Sequence, residues 1–264
     1  MQNQPIQQQD SFIIDCFSYN LINCFKLLFL LLGLFLLHSC QSENTTKNIR
    51  SYYYPVADFM DGKVYEFKAV NDSLAPFYWY FRTTISRGDT IITSEYFDHN
   101  FIVQQLTNEE IVKNGVILND FYLYETDSIT GQQTQNPVRV EVDNVYPFEV
   151  TDSTGLFLYK VFWRDYSQPN QKYRLIKNRH YMGEDTYTYK GQSFPCVRFL
   201  NRELLEIEEV GFQEVTYNSV ELYAKNIGLV YFRKEIEGNI VQEYELADIY
   251  DMTTLEEKFR ETIE

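Results

Sequence analysis

Five consecutive aromatic residues, Phe77-Tyr78-Trp79-Tyr80-Phe81, constrain this chain more than any other feature. Side chains alternate along a strand, so Phe77, Trp79 and Phe81 take one side and Tyr78 and Tyr80 the other. Both sides then carry large apolar area and both need a cover. One side finds a core; the other meets a helix or loop of the same chain, a ligand or a partner. Tyr offers apolar area with a polar tip, which makes Tyr78 and Tyr80 the candidate binding residues. Aromatic and β-branched side chains suit a pleated surface. With 22 Tyr, 20 Phe and 2 Trp, the chain extends that preference along its length.

The same period recurs downstream. In residues 63–70, after the turn Asp61-Gly62, Tyr65, Phe67 and Ala69 alternate with Glu66 and Lys68, the pattern of a strand with one dry and one wet side. Further strands are predicted at 90–97, 116–125, 138–142, 156–166, 172–181, 186–189, 197–208, 212–223, 230–237 and 240–249. Arg87-Gly88-Asp89 matches a cell-adhesion tripeptide, but Gly-Asp between two alternating strands is ordinary turn chemistry, and a hairpin is the expectation. Thr107-Asn108-Glu109-Glu110 has the spacing of a helix cap and predicts a short helix over 107–114. Thr253-Thr254-Leu255-Glu256 opens a second over 253–263, with Leu255, Phe259 and Ile263 as its apolar stripe. The fold class expected is mainly β: a single curved antiparallel sheet or half-open barrel with a few short helices and a C-terminal helix. No Pro/Gly/Ser-rich linker and no internal repeat divides residues 52–264, which read as one domain.

The N-terminal region obeys other rules. An apolar run, FKLLFLLLGLFLL, ends in Leu37-His38-Ser39-Cys40. It is too short to cross a bilayer, which takes about 20 apolar residues, and has the length of the apolar part of a signal peptide. The segment resembles the signal of bacterial lipoproteins, in which a Leu, a small residue and an obligatory Cys direct acylation of the Cys sulfur and cleavage before it. Leu37, Ser39 and Cys40 match; His38 is atypical. The start of the chain also departs from the pattern, with Asp10 and Asp15 against Lys26, and a start upstream of the true one would account for it. The resemblance implies removal of residues 1–39, lipidation at Cys40 and a membrane anchor through lipid. Residues 40–51, polar and short, then read as a flexible tether. The implied location is the cell envelope, at the outer membrane of a Gram-negative bacterium.

Near the other end, Tyr223-Ala224-Lys225-Asn226-Ile227-Gly228-Leu229-Val230, followed by Tyr244-Glu245-Leu246, is similar to the closing segment of periplasmic sheet domains related to the lipoprotein-carrier fold. That resemblance implies a strongly curved, partly open sheet whose apolar concave face receives acyl chains under a helical lid. It brings no catalytic residue.

Charge narrows the partners. Without residues 1–39 the chain keeps 22 of its 23 basic and 36 of its 38 acidic side chains, the three lost being Lys26, Asp10 and Asp15. Lys and Arg are scattered singly among the acids rather than forming the basic stripe that phosphate requires, so nucleic acid is not an expected partner. Of four cysteines, Cys16 and Cys24 fall in the leader and Cys40 at the anchor, leaving Cys196 among apolar neighbours as a buried, inert thiol. His99 and His180 have no ligand spacing, and neither a metal nor a cofactor is expected. No phosphate loop, nucleophile elbow or Ser-x-x-Lys occurs.

Four triplets, starting at Asp72, Asp89, Asp127 and Asp152, fit an Asp-(Ser/Thr)-(aliphatic or Thr) signal that resembles the O-glycosylation acceptor of certain Gram-negative envelope proteins. It would place sugars on Ser73, Thr90, Ser128 and Ser153; as Asp-Ser and Asp-Thr are also common turn formers, a plain loop reading stands beside it. The function expected is a non-catalytic β-sheet domain on a lipid anchor, binding an apolar ligand or a partner protein. The alternatives are a purely structural envelope component, or a hydrolase using a carboxylate pair that involves Glu206 or Asp185.

Overall fold

Twelve strands pair with their neighbours in chain order and close on themselves. The computed structural model describes residues 46–263, apart from 72–73, 128–129, 152–155, 166–167, 169 and 237–239. A two-residue strand β1 (Lys47–Asn48) comes first and pairs with β8 (Glu149–Val150) outside the main sheet. The barrel runs through β2 (Lys63–Ala69), β3 (Phe77–Ser86), β4 (Asp89–Phe97), β5 (Val103–Val112), β6 (Gly115–Thr126), β7 (Gln133–Pro147) and β9 (Leu156–Arg164). It continues through β10 (Lys172–Tyr189), β11 (Gln192–Glu208), β12 (Phe212–Ala224), β13 (Gly228–Ile236) and β14 (Ile240–Tyr250), and β14 pairs back onto β2. Every pairing is antiparallel. The sheet is therefore a closed barrel, where the chain's pattern and its carrier-fold resemblance predict a single curved sheet or half-open barrel. Closure leaves no free edge, and the pairing that achieves it joins the two ends of the domain.

Local chemistry explains the hairpins. Arg87 (φ 56°) and Gly88 (φ 96°) both adopt left-handed backbone between paired Ser86 and Asp89, the two-residue turn whose twist matches the flanking strands. The tripeptide is thus a hairpin tip. Lys190 and Gly191 repeat the geometry between β10 and β11. Strand β10 is one long element where two are predicted, because its register shifts between Tyr181 and Gly183; a bulge at Met182 carries pairing across the gap.

The helix predicted over 107–114 is strand β5. Its capping signature coincides with period-two alternation. Ser94 and Thr107 share a buried hydroxyl–hydroxyl hydrogen bond at 2.5 Å, while Asn108 donates to Asp120 at 3.0 Å on β6. Pairing on both sides overrides the local cap.

The first described segment lies across one barrel end. Ile49 N donates to Phe148 O at 2.8 Å, Asn226 N to Ser51 O at 2.7 Å, and Thr83 Oγ1 to Val56 O at 2.7 Å. These bonds fix it to three separate arcs of the rim. Lys47–Asn48 and the 3-10 turn Arg50–Tyr52 belong to this plug; all of these but Tyr52 lie within residues 40–51, the stretch read as a tether. Ile49 and Phe59 are fully buried, and the Phe59 ring stacks on Phe81 at 5.1 Å. Gly228 makes room for the plug: a Cβ there would overlap the Tyr54 ring.

Helix α1 (Met252–Ile263) covers part of the outside, as the apolar stripe predicts. Leu255 is 3% exposed against Val64 and Tyr78, and Lys258 Nζ meets Glu66 Oε2 at 2.5 Å. Phe259 meets Phe101 at 5.3 Å but stays 41% exposed. Elsewhere the outer face carries ion pairs such as Arg174–Glu206 at 2.7 Å and Lys172–Glu208 at 2.7 Å. An outer face that carries such ion pairs differs from the apolar band that a barrel presents to lipid. Among the described residues no helix is long and apolar enough to cross a membrane.

Removing the Leu255 side chain should cost about 2–5 kcal/mol, the usual range for a buried Leu→Ala cavity. Phe259→Ala, on the exposed side of the same helix, should cost far less. Urea unfolding midpoints of the two variants check the ranking.

Candidate functional site

The register of β10 to β14 puts polar side chains where a barrel normally keeps apolar ones. One cross-strand row reads Arg179, Asn201, Ser219, Lys234, Gln242. The adjacent row reads Tyr181, Phe199, Glu221, Phe232, Tyr244. Lys177 and Glu203 face each other one step away on β10 and β11. All share the inward parity of Val197 and Phe199, which are fully buried.

These groups bond one another. Arg179 Nη2 donates to Glu221 Oε2 at 2.7 Å and to Tyr223 OH at 3.2 Å, its Nε to Asn201 Oδ1 at 3.3 Å, and its Nη1 to the carbonyl of Val145. A single guanidinium thus fastens β7, β11 and β12 to β10. Lys177 Nζ donates to Glu221 Oε1 at 2.5 Å, and Lys234 Nζ to Glu203 Oε2 at 2.7 Å. Asn201 donates to Ser219 at 3.1 Å and Ser219 to Glu203 at 3.3 Å. Burial disfavours the Glu221 carboxylate, but Arg179 and Lys177 outweigh it and hold its pKa at about 2. Glu203 is lowered in the same way, burial being overcome by Lys177 and Lys234. Burial opposes the charge of Arg179 too, yet Glu221 keeps that group's pKa raised.

Across the interior stands an aromatic wall. Phe77, Trp79 and Phe81 of β3 and Tyr96 of β4 line it, with Trp79 and Tyr96 edge to face at 5.2 Å. Between the walls is a cavity of about 510 Å³, also lined by Gln105, Thr107 and Glu109 of β5 and by Tyr53 of the plug. Tyr53 OH donates to Glu109, whose carboxyl is raised because burial outweighs that bond and the attraction of Arg179. One side of the cavity is therefore aromatic, with Trp79 nearly parallel to Phe81 and Tyr96 set edge-on to it, and the other is a set of paired ions.

The residues singled out from sequence lie elsewhere. Tyr78 and Tyr80 face outward; Tyr78 is 5% exposed beneath Leu255 and stacks on Phe101 at 5.0 Å, while Tyr80 is half-buried beside Gly62. Their strand mates Phe77, Trp79 and Phe81 supply the cavity instead. Glu206 pairs with Arg174, and Asp185 with Arg198, both on the outer face. Cys196 is fully buried and burial pushes its thiol up to about 11. Thr90 sits half-buried at the start of β4. The leader, Cys40, Ser73, Ser128 and Ser153 fall outside the described residues. Among the described residues no group of three or more His, Cys, Asp or Glu could hold a metal. Missed from sequence were Lys177, Arg179, Glu203, Glu221 and Lys234. The signal existed: Asn201 and Glu203 continue the parity of Val197 and Phe199, and Ser219 and Glu221 that of Tyr223.

Comparison with known proteins places the fold. The chain superposes on a candidate lipoprotein from Parabacteroides distasonis with a TM-score of 0.50 at 12% identity, covering 75% of this chain and 98% of that one. A candidate exported protein with a YmcC-like fold from Bacteroides fragilis gives 0.47 at 12% identity, covering 72% and 96%. The hypothetical lipoprotein YmcC of Escherichia coli gives 0.28 at 8%, covering 73% and 88%. The likeness to the Parabacteroides protein is one of fold. No protein-family model and no curated protein matches the sequence.

Two substitutions separate the buried acids. Glu221→Gln leaves Arg179 without its partner and should cost about 3–5 kcal/mol near neutral pH. Because the folded pKa of Glu221 is depressed, its contribution is present above the unfolded value of about 4.3 and fades as pH falls toward about 2. The deficit of Glu221→Gln should shrink over that window. Glu109 has the opposite sign: its folded pKa is raised, so its stabilisation is complete in acid and is lost as pH rises through that folded value. Glu109→Gln should therefore gain on the wild type as pH rises. Denaturant midpoints followed across pH test both slopes.

Proposed function

We propose that this chain is a non-catalytic lipoprotein of the bacterial cell envelope, acylated at Cys40 on the outer membrane of a Gram-negative bacterium, whose barrel holds a small ligand in its interior. The observation that carries this reading is the cavity of about 510 Å³ between an aromatic and an ionic wall. It falls within the range of roughly 300–1,000 Å³ typical of small-molecule sites. A structural component would fill such space with side chains. Its ions are engaged with each other, and Glu203 and Glu221 are held as carboxylates by lysines and Arg179, an arrangement for shaping a site rather than for moving protons. The anchor rests on Leu37-His38-Ser39-Cys40, and the Parabacteroides protein that shares the fold is itself named as a candidate lipoprotein.

Native mass spectrometry of the purified protein should show a population heavier by one small molecule. A protein that stays bare through gentle extraction and purification contradicts the reading. The anchor is checked separately: Cys40→Ala should leave the membrane fraction or remain uncleaved. A mature-sized Cys40→Ala product still bound to membrane argues against lipidation at this residue.

A further inference from the structure

We propose that the molecule this cavity takes is a neutral polyhydroxylated ring, a mono- or disaccharide, stacked on Trp79 beside the edge-on ring of Tyr96 and hydrogen-bonded by the Lys234, Glu203 and Gln242 side. The proposal rests on the reading that the barrel holds a small ligand, and names its class.

Three features of the lining select that chemistry. The first is the mixture of charge. Lys177, Lys234 and Arg179 stand beside Glu203 and Glu221 within hydrogen-bonding distance. An anionic ligand would meet two carboxylates and a cationic one three basic groups. An acyl chain would take water from buried ions and return no hydrogen bond, a costly exchange. A hydroxyl both donates and accepts, so a sugar satisfies lysines and carboxylates in one site without adding charge.

The second is hydrogen-bonding capacity that the protein does not use. Among the described residues the side-chain amides of Gln105 and Gln242, the indole N–H of Trp79 and the hydroxyl of Tyr96 make no hydrogen bond within the chain, and none of these atoms is sealed from contact. All four residues line the cavity. Arg179 differs, since each of its three nitrogens is already engaged; it positions Glu221 rather than meeting a ligand.

The third is the aromatic surface. Phe77 and Phe81 are buried, whereas Trp79 and Tyr96 between and beside them are only half-buried, so their free surface adjoins the cavity. An aromatic face carries negative charge density and attracts groups with positive edges. The C–H face of a sugar ring supplies such an edge, while its hydroxyls project toward the polar wall.

The test uses the full, detergent-purified chain with Trp163→Phe, which leaves Trp79 as the sole tryptophan. Trp163 stacks on Tyr173 and does not line the cavity. Glucose, galactose, mannose, N-acetylglucosamine and their disaccharides are titrated to millimolar levels, with glucuronate and octanoate as anionic and acyl probes. The expected result is a saturable change in Trp79 fluorescence with at least one neutral sugar, weakened at least tenfold by Gln242→Ala or Gln105→Ala in variants whose melting curves match the parent. Saturation by octanoate or glucuronate alone overturns the saccharide assignment and leaves the ligand-holding reading standing. A non-carbohydrate adduct in the native mass spectrum does the same. A protein that answers no probe and carries no adduct overturns both.

Discussion

A closed barrel of twelve strands encloses more space than inward side chains fill; eight strands is about the number at which they just suffice. Every other feature of this molecule answers that constraint. The segment from Lys47 to Phe59 closes one end with Ile49, Tyr52 and Phe59. Large aromatic side chains from β2, β3 and β14 occupy the adjacent interior, as in the Phe67–Phe77 stack at 5.0 Å and the Phe77–Tyr244 contact at 4.9 Å. A second apolar cluster around Phe121, Val138 and Val161 fills the side formed by β6, β7 and β9. What remains between the clusters is the cavity.

The ion cluster bordering that cavity stands only as a whole. Removing one member strands its partner in a low-dielectric interior, which is why such networks are either fully connected or costly. Here connection is nearly complete: Glu221 accepts from Lys177, Arg179 and Tyr223, and Glu203 from Lys234 and Ser219. Arg179 also lies over the rings of Phe199 and Tyr223 at 5.4 and 5.5 Å, so its charge faces π-systems where it does not face oxygen. The cluster thereby keeps the polar wall in one geometry.

Much of the fold was legible because it is local. The alternation of Tyr65, Phe67 and Ala69, the Arg87-Gly88 hairpin and the Leu255 stripe each encode themselves within a few residues. Two things were not local. Thr107 and Glu110 carry a helix-capping signature that only pairing with β4 and β6 overrides, and closure depends on β2 meeting β14, which no short window reveals. Half of the site was visible: Phe77, Trp79 and Phe81 could be assigned to one face, but which face adjoined space and which lay beneath a helix is a tertiary fact. The polar half was hidden by the same habit that makes sequence reading work. Glu203 and Glu221 sit at inward parity, yet a charged residue in a strand is read as the wet side, and only their cross-strand partners Lys177, Arg179 and Lys234 make the inward position tolerable.

The seam between β2 and β14 has a consequence in time. Both strands are edges until they meet, since each is paired on one side only by its chain neighbour, β3 or β13. Synthesis delivers β2 first among the barrel strands and β14 last, so the long-range contact that completes the ladder forms only when all twelve strands are present, the situation in which loop-closure entropy slows folding most. Helix α1 follows β14 directly and lays Leu255 on Val64 and Lys258 beside Glu66 of β2. Helix α1 therefore lies as a clasp over the joint, so reopening the seam means lifting the helix as well as breaking the β2–β14 ladder.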